Sequence, residues 1–318
     1  MTAVKVLVAL HPQHPDRRVM EKLQRFAEQQ KLAVTLYMCD YRSSIASRLM
    51  LQPESLEQAI NHINSQHLKA LEALAAEFAH PNIDYQCETA WHKPYYEALI
   101  AKAEAMEAHW VIKMATPREG LRKWLFTSSD YQLLKTCAQP LLLTKGQSWA
   151  KDACVVAAVD PSHNDSQPSG LDKAVVKHAK AVAERLQLPL KVCHVFDPIG
   201  WEVVLNSTAS AGVMGQFVVL DTPEDHQQML QNLREEHQKN LSQLQKNHGL
   251  KDNEVVQLEG DPVDALLQFC NEQQAALLVV GTHYRSGLLG STAEALFDSA
   301  ECDLVAVKPA QFTALDTH

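Results

Sequence analysis

The sequence predicts an α/β protein built from two tandem doubly wound domains, each a parallel sheet covered by helices on both faces. Three observations carry this. Short β-branched runs such as Val155–Val159 alternate with helical periodicities such as Leu171–Leu186. The runs are apolar at every residue rather than every second one, so their strands are buried on both faces, as in a parallel sheet covered by helices. The second half of the chain also repeats the first.

The repeat shows in three places. Val4–His14 resembles Cys154–His163, so that His11-Pro12 falls on Asp160-Pro161. Trp91–Leu99 matches Glu259–Leu267, and Leu134–Lys145 runs parallel to Phe297–Lys308. The offsets are 149, 168 and 163, so the second half gains 19 residues early (168 − 149) and loses five late (168 − 163). A chain of 318 residues suits two domains of about 150 residues each. The junction falls near Gly146–Trp149, giving domains 1–148 and 149–318.

The elements of the second half follow in order. Val155–Val159 and Leu190–Val195 have strand length, and Leu171–Leu186 is the helix between them. Pro223–His248 is long and rich in Gln and Glu, which suits an exposed helix. Val255–Leu258, Pro262–Gln273, Leu277–Val280, Ser291–Ala300 and Leu304–Val307 complete the alternation. Pro94 and Pro262 stand where a first helical turn tolerates proline.

Composition narrows the function. A net charge of −9 and a pI near 5.9 exclude a non-specific nucleic-acid binder, and no direct nucleic-acid binding is expected. Seven cysteines, scattered without a CxxC pair, read as reduced thiols of a reducing compartment. The opening MTAVKVLVALHPQHP reads as a first strand rather than a signal peptide, and no apolar run approaches the roughly 18 residues of a membrane span. A soluble, cytoplasmic protein is expected, with no membrane partner.

Ligands of such sheets bind beyond the carboxyl ends of the strands, at the switch point in strand order. The second half sets three features there. Asp160 ends the first strand, where a carboxylate accepts hydrogen bonds from a ribose or a base amino group. Gly281 ends the fourth strand, where a missing side chain admits a ligand to the backbone. Gly290-Ser291-Thr292 opens a helix whose free N–H groups favour phosphate. Each also has a structural reading: Asp160-Pro161 as a turn, and Ser291-Thr292-Ala293-Glu294 as a capping box whose Glu294 already supplies the negative charge.

The pattern of strand, glycine, short loop, Gly-Ser-Thr, helix and a last strand ending Val-Ala-Val-Lys-Pro resembles the universal stress proteins, and within them the tandem-domain type E. The resemblance covers nearly the whole chain. It implies the adenine-nucleotide α-hydrolase-like fold, with ATP or a related adenine nucleotide contacted by Asp160, Val280, Gly281, Gly290, Ser291 and Thr292. It also implies an internal pseudo-dimer, because single-domain relatives pair through their last strands; Leu141–Thr144 and Leu304–Val307 are the expected contact. The expected role is a binding and regulatory module of the stress response, and pairing of two whole chains stays open.

This chain departs from the family's nucleotide pattern. Tyr284 replaces the second motif glycine, and five residues rather than nine separate it from Gly290. In the first half His11 stands for the aspartate, Lys113 for the first glycine and Thr127 for the last, while the loop Thr116–Trp124 is cationic. The first half therefore reads as a degenerate partner and the second as the candidate site. The extra residues around Trp201–Asp221, with the adaptable Met214, suggest a lid over an apolar or lipid-like ligand held between the halves, as an alternative to an ordinary surface excursion. Fifteen histidines show no metal-binding spacing and read as solvated, so no metal is expected. No nucleophile elbow, Walker sequence or HExxH appears, so no catalytic residue is assigned; slow ATP hydrolysis is the third alternative.

Overall fold

The structure, a computed structural model, describes residues 3–12, 17–117, 124–125, 128–162, 170–199, 223–282, 284–285 and 288–309. In the first half the chain runs β1 (Val4–Ala9), α1 (Arg17–Ala27), β2 (Leu32–Cys39), α2 (Ser43–Arg48), α3 (Pro53–Glu77) and β3 (Ile83–Ala90). It continues through α4 (Tyr95–Ala105), β4 (Trp110–Met114), the short β5 (Thr116–Pro117) and β6 (Trp124–Leu125), α5 (Ser128–Thr136) and β7 (Leu141–Thr144). The second half runs β8 (Val155–Ala158), α6 (Leu171–Leu186), β9 (Leu190–Phe196), α7 (Pro223–His248) and β10 (Val255–Glu259). After these come α8 (Pro262–Glu272), β11 (Leu277–Gly281), the short β12 (Tyr284–Arg285) and β13 (Leu288–Leu289), α9 (Ser291–Ser299) and β14 (Asp303–Val307).

All the long strands join one ten-stranded sheet in the order β10-β9-β8-β11-β14-β7-β4-β1-β2-β3. Each half has the same order, with its first strand between its second and fourth, so the winding reverses at β1/β4 and at β8/β11. Every pairing in this sheet is parallel except one. β7 and β14 run antiparallel, with Leu304 opposite Leu143, Val305 opposite Leu142 and Ala306 opposite Leu141. The last strands are the contact, as expected, and they make the two halves an internal pair.

Alternation along the strands divides the core. Val6, Val8 and Leu10 face α1, α3, α6 and α7, whereas Leu7 and Ala9 face α4, α5, α8 and α9. α1 shows why these segments are helical: Val19, Met20, Leu23 and Ala27 make one buried stripe at a spacing of three to four. α8 starts where the Asp261 carboxylate accepts the Val263 and Asp264 N–H groups at 2.9 and 3.1 Å, followed by proline at the first helical position. Pro94, by contrast, is the residue before α4 rather than in its first turn.

Polar groups complete the junction. The buried Lys22 Nζ meets Asp303 Oδ2 at 2.6 Å, and the same carboxylate accepts the Lys145 N–H at 2.8 Å and the Trp149 indole N–H at 2.9 Å. Burial raises the Asp303 carboxyl, and Lys22 and these donors oppose the rise. Lys145 and Lys308 cross the boundary reciprocally. Lys145 Nζ donates to the Phe297 and Ala300 carbonyls at the end of α9, and Lys308 Nζ to the Leu134 carbonyl in the last turn of α5.

Candidate functional site

The carboxyl edge of the second half gathers the residues singled out above. Ala158 on β8 lies beside Val280 on β11, so Asp160 and Gly281 emerge from neighbouring strands at the switch point. The chain then returns to open α9 at Ser291, with Gly290 as the residue before the helix. Gly290 provides no side-chain cap, its carbonyl accepts the Glu294 N–H at 3.0 Å, and Ser291 and Thr292 are exposed. The capping-box reading, which made Ser291 the cap, is thereby corrected: Ser291 is already inside the helix.

Three residues that the sequence reading passed over shape this edge. A Cβ on Gly281 would meet the Leu171 side chain at 2.6 to 2.9 Å, so this glycine admits the first residue of α6 over the strand end. Asp172, next along, accepts the Asp160 N–H at 3.1 Å. Burial raises the Asp172 carboxyl to about 6; the bond from the Asp160 N–H opposes the rise and the Asp160 charge adds to it. An acidic residue in the first turn of the helix after β8 was the available signal. His194 on β9 is the third: its Nδ1 lies 3.2 Å from the Val159 carbonyl and 3.8 Å from Asp160 Oδ1. Its Nε2 lies 2.8 Å from His237 Nδ1 on α7, with both imidazoles buried. The expectation of solvated histidines fails here and at His67, which is buried and bonded to Asp40 at 3.0 Å.

The equivalent edge of the first half is built differently. Strand pairing sets Trp110 beside Val6 and Leu277 beside Val155, and Met114 beside Thr144 where Gly281 lies beside Val307. Met114 therefore takes the place of Gly281, and Lys113 that of Val280. The fourth strands differ by 167 positions (277 − 110), one fewer than the motif match required. Lys113 points into the core side of α4 and α5, where its Nζ meets Asp130 Oδ1 at 2.5 Å and the Met114 carbonyl at 3.1 Å, 6.0 Å from the Tyr95 ring. Asp130 is fully buried and occupies the place of Ala293 in α9, since α5 and α9 are both nine residues long.

Thr127, the cationic loop 118–123 and the Trp201–Asp221 stretch with Met214 lie outside the described residues, as does the side chain of Tyr284.

Residues 4–145 and 155–308 each match the model of the Universal stress protein family. The chain belongs to the universal stress protein family. Among curated universal stress proteins it is 25% identical over 320 residues to Universal stress protein E of Photorhabdus laumondii, covering 96% of this chain and 95% of that one. It is 24% identical to Universal stress protein E of Escherichia coli, covering 96% and 94%. The fold is shared with a universal stress protein from Pseudomonas aeruginosa described as putative, with a TM-score of 0.70, 20% identity and 97% and 94% coverage. It is shared also with a universal stress protein from Archaeoglobus fulgidus, with a TM-score of 0.52, 15% identity and 95% and 98% coverage. This chain is thus a tandem universal stress protein, a stress-response protein by family. No helix among its described residues is long and apolar enough to cross a membrane.

Proposed function

We propose that this tandem universal stress protein is a binding and regulatory module of the cytoplasm, whose second half takes an adenine nucleotide at the carboxyl ends of β8 and β11. One contrast carries the reading. At the switch point the second half keeps a carboxylate, a glycine and an open helix start, Asp160, Gly281 and Gly290-Ser291-Thr292, while the first half has Met114 at the glycine's place and buries the Lys113–Asp130 ion pair on the other face of the same strand end. Asp160 would hold the ribose or the base, Val280 and Gly281 would line the floor, and Gly290, Ser291 and Thr292 would face the phosphates. Leu171 over Gly281 sets the depth of the crevice, so a nucleotide lies against that leucine rather than on bare backbone.

The test is thermal unfolding with ATP. A ligand at a hundred times its dissociation constant adds about 2.7 kcal/mol. Millimolar ATP should raise the melting temperature of the wild type and leave Asp160→Ala unmoved. A wild type indifferent to millimolar ATP defeats the reading.

A second reading has its own observation. Between the halves, on the α1/α6 side of the sheet, lies a cleft of about 370 Å³ including its open mouth, lined by Val6, Leu23, Phe26, Trp110, Ile112 and Val182 among others. The space inside is narrow, so an acyl chain would have to part α1 from α6. Mass spectrometry of molecules that co-purify with the native protein separates the readings: a nucleotide supports the first and an acyl compound the second.

A further inference from the structure

The edge of the sheet opposite the candidate site, at the amino ends of the strands, collects sulfur. Cys154 precedes β8, Cys270 lies near the end of α8, and Cys302 comes immediately before β14. Backbone hydrogen bonds draw them around Ala275–Ala276. The Ala275 N–H donates to the Cys270 carbonyl at 2.8 Å, and the Ala276 N–H to the Cys154 carbonyl at 2.8 Å. The Ala276 carbonyl accepts the N–H of Asp303, the residue after Cys302, at 3.3 Å. The Cys302 side chain is the neighbour that acts most strongly on the Cys270 thiol.

The two thiols of this pair differ. Cys270 is 4% exposed, and its neighbour Cys302, followed by burial, holds its proton well above the ordinary thiol range. Cys302 is half-buried, within reach of solvent. Lys145 brings its ammonium to the Phe297 and Ala300 carbonyls just ahead of Cys302; burial lowers this lysine, and Cys302 leads the charges that act against that. An accessible thiol beside a cation, with a second thiol already in contact, is the arrangement in which oxidation ends in a disulfide. Neither cysteine belongs to the repeat: the first half carries Ala103 and Gln139 at these places. Among the described residues no group of three or more His, Cys, Asp or Glu side chains is arranged to hold a metal ion, so the cluster is not a metal centre there.

We propose that Cys270 and Cys302 form a reversible disulfide in response to a hydroperoxide, with Cys302 as the thiol that reacts first. The Cys302 thiolate attacks a peroxide oxygen; the S–O bond forms, the O–O bond breaks, and the departing hydroxide takes up a proton to leave as water. The Cys270 sulfur then attacks the sulfenic sulfur. The S–S bond forms, the S–O bond breaks, and the leaving hydroxide takes the Cys270 proton as a second water. Two thiols lose two electrons and one hydrogen peroxide becomes two waters.

The experiment treats the full chain with hydrogen peroxide, blocks remaining thiols by alkylation and maps peptides with and without reductant. The expected product is a Cys270–Cys302 crosslink, reversed by dithiothreitol, at peroxide levels that leave the half-buried Cys87 alkylatable. Cys270→Ser should trap Cys302 as a sulfenic acid that reacts with dimedone, and Cys302→Ser should leave Cys270 reduced. A crosslink to another cysteine, dimedone labelling of Cys270 instead of Cys302, or oxidation of Cys87 at the same rate as Cys302 would each overturn the proposal. So would a wild type in which Cys302 stays reduced or goes to sulfinic acid without crosslinking.

Discussion

At the end of β4 the first half buries a lysine against an aspartate; at the same place in the second half β11 ends in valine and glycine beside an alanine of α9. The surrounding plan is the same on both sides, with five strands in one order, a first strand at the switch point, and helices of equal length after the fourth strand. What differs is what each face of that strand end carries. In the first half the α1 face holds Met114 and the α5 face an ion pair. In the second the equivalent of Met114 is Gly281, with a leucine reaching over it from α6, and the rim beyond keeps Asp160 and the start of α9. A duplicated sheet repeats the position of a strand end; a few side chains decide what covers it.

The sharpest way to break this comparison is to give the first half the residues of the second. Lys113→Val alone removes the cation from the fully buried Asp130 and should cost about 3–5 kcal/mol. Adding Asp130→Ala, the residue found at that place in α9, should recover most of the loss, because an apolar pair of that kind already packs in the second half. Urea unfolding of both variants measures the coupling. A double variant as unstable as the single one would mean the two edges are not interchangeable.

Next in size is the pH response of the second half's own carboxylates. α1 has no acidic residue in its first turn, whereas α6 has Asp172, held near 6 against an ordinary 3.8. A carboxyl whose folded value is raised binds more protons in the folded state. Its charge therefore costs nothing below about pH 4 and weakens the fold as pH rises through 6. The cost at neutral pH is of the order of 2–3 kcal/mol. Asp172→Asn keeps an oxygen for the Asp160 N–H, so it should be more stable than wild type at pH 7.5 and equal to it at pH 4. A gap that is unchanged between those values would remove Asp172 from the account.

Gly281→Ala tests the leucine. A methyl placed 2.6 Å from Leu171 Cγ forces α6 or its side chain to move, at about 1–3 kcal/mol. The cost should shrink when Leu171→Ala is present. At Met114, the same position in the first half, a side chain is native and packs partly buried against the α1-side core. Costs that simply add would show that Leu171 does not occupy the glycine's space.

Much of this was legible in the residues. Continuous apolar runs and three internal matches gave the strands and the duplication, because burial on both faces leaves a pattern that survives divergence; the pairing through Leu141–Thr144 and Leu304–Val307 came only from the family resemblance. The one-residue slip that put Lys113 on Gly281 came from aligning Pro94 with Pro262. The hydrogen bonds instead align the residue before α4 with Asp261, which a motif match cannot see. Side chains that act across elements were equally hidden. His194 meets His237 from 43 positions away, and Leu171 reaches Gly281 from the far side of the half, and no local spacing reports either contact.

The smallest expected effect concerns the symmetry itself. Lys145 and Lys308 exchange ends between the halves, each bonding the final carbonyls of the other half's helix. If the halves are a true internal pair, Lys145→Met and Lys308→Met should each cost about 1 kcal/mol at pH 7 and the losses should add, since the two ammonium groups bond carbonyls of different helices. Their environments then separate them. Burial lowers Lys308 to about 8, so its charge is held against a desolvation cost below that pH. Wild type should accordingly gain on Lys308→Met as the pH rises from 8 towards the ordinary lysine value of 10.5, where neither state keeps the proton. A gap that narrows over that interval would mean that the bond to the Leu134 carbonyl depends on the charge more than burial penalises it.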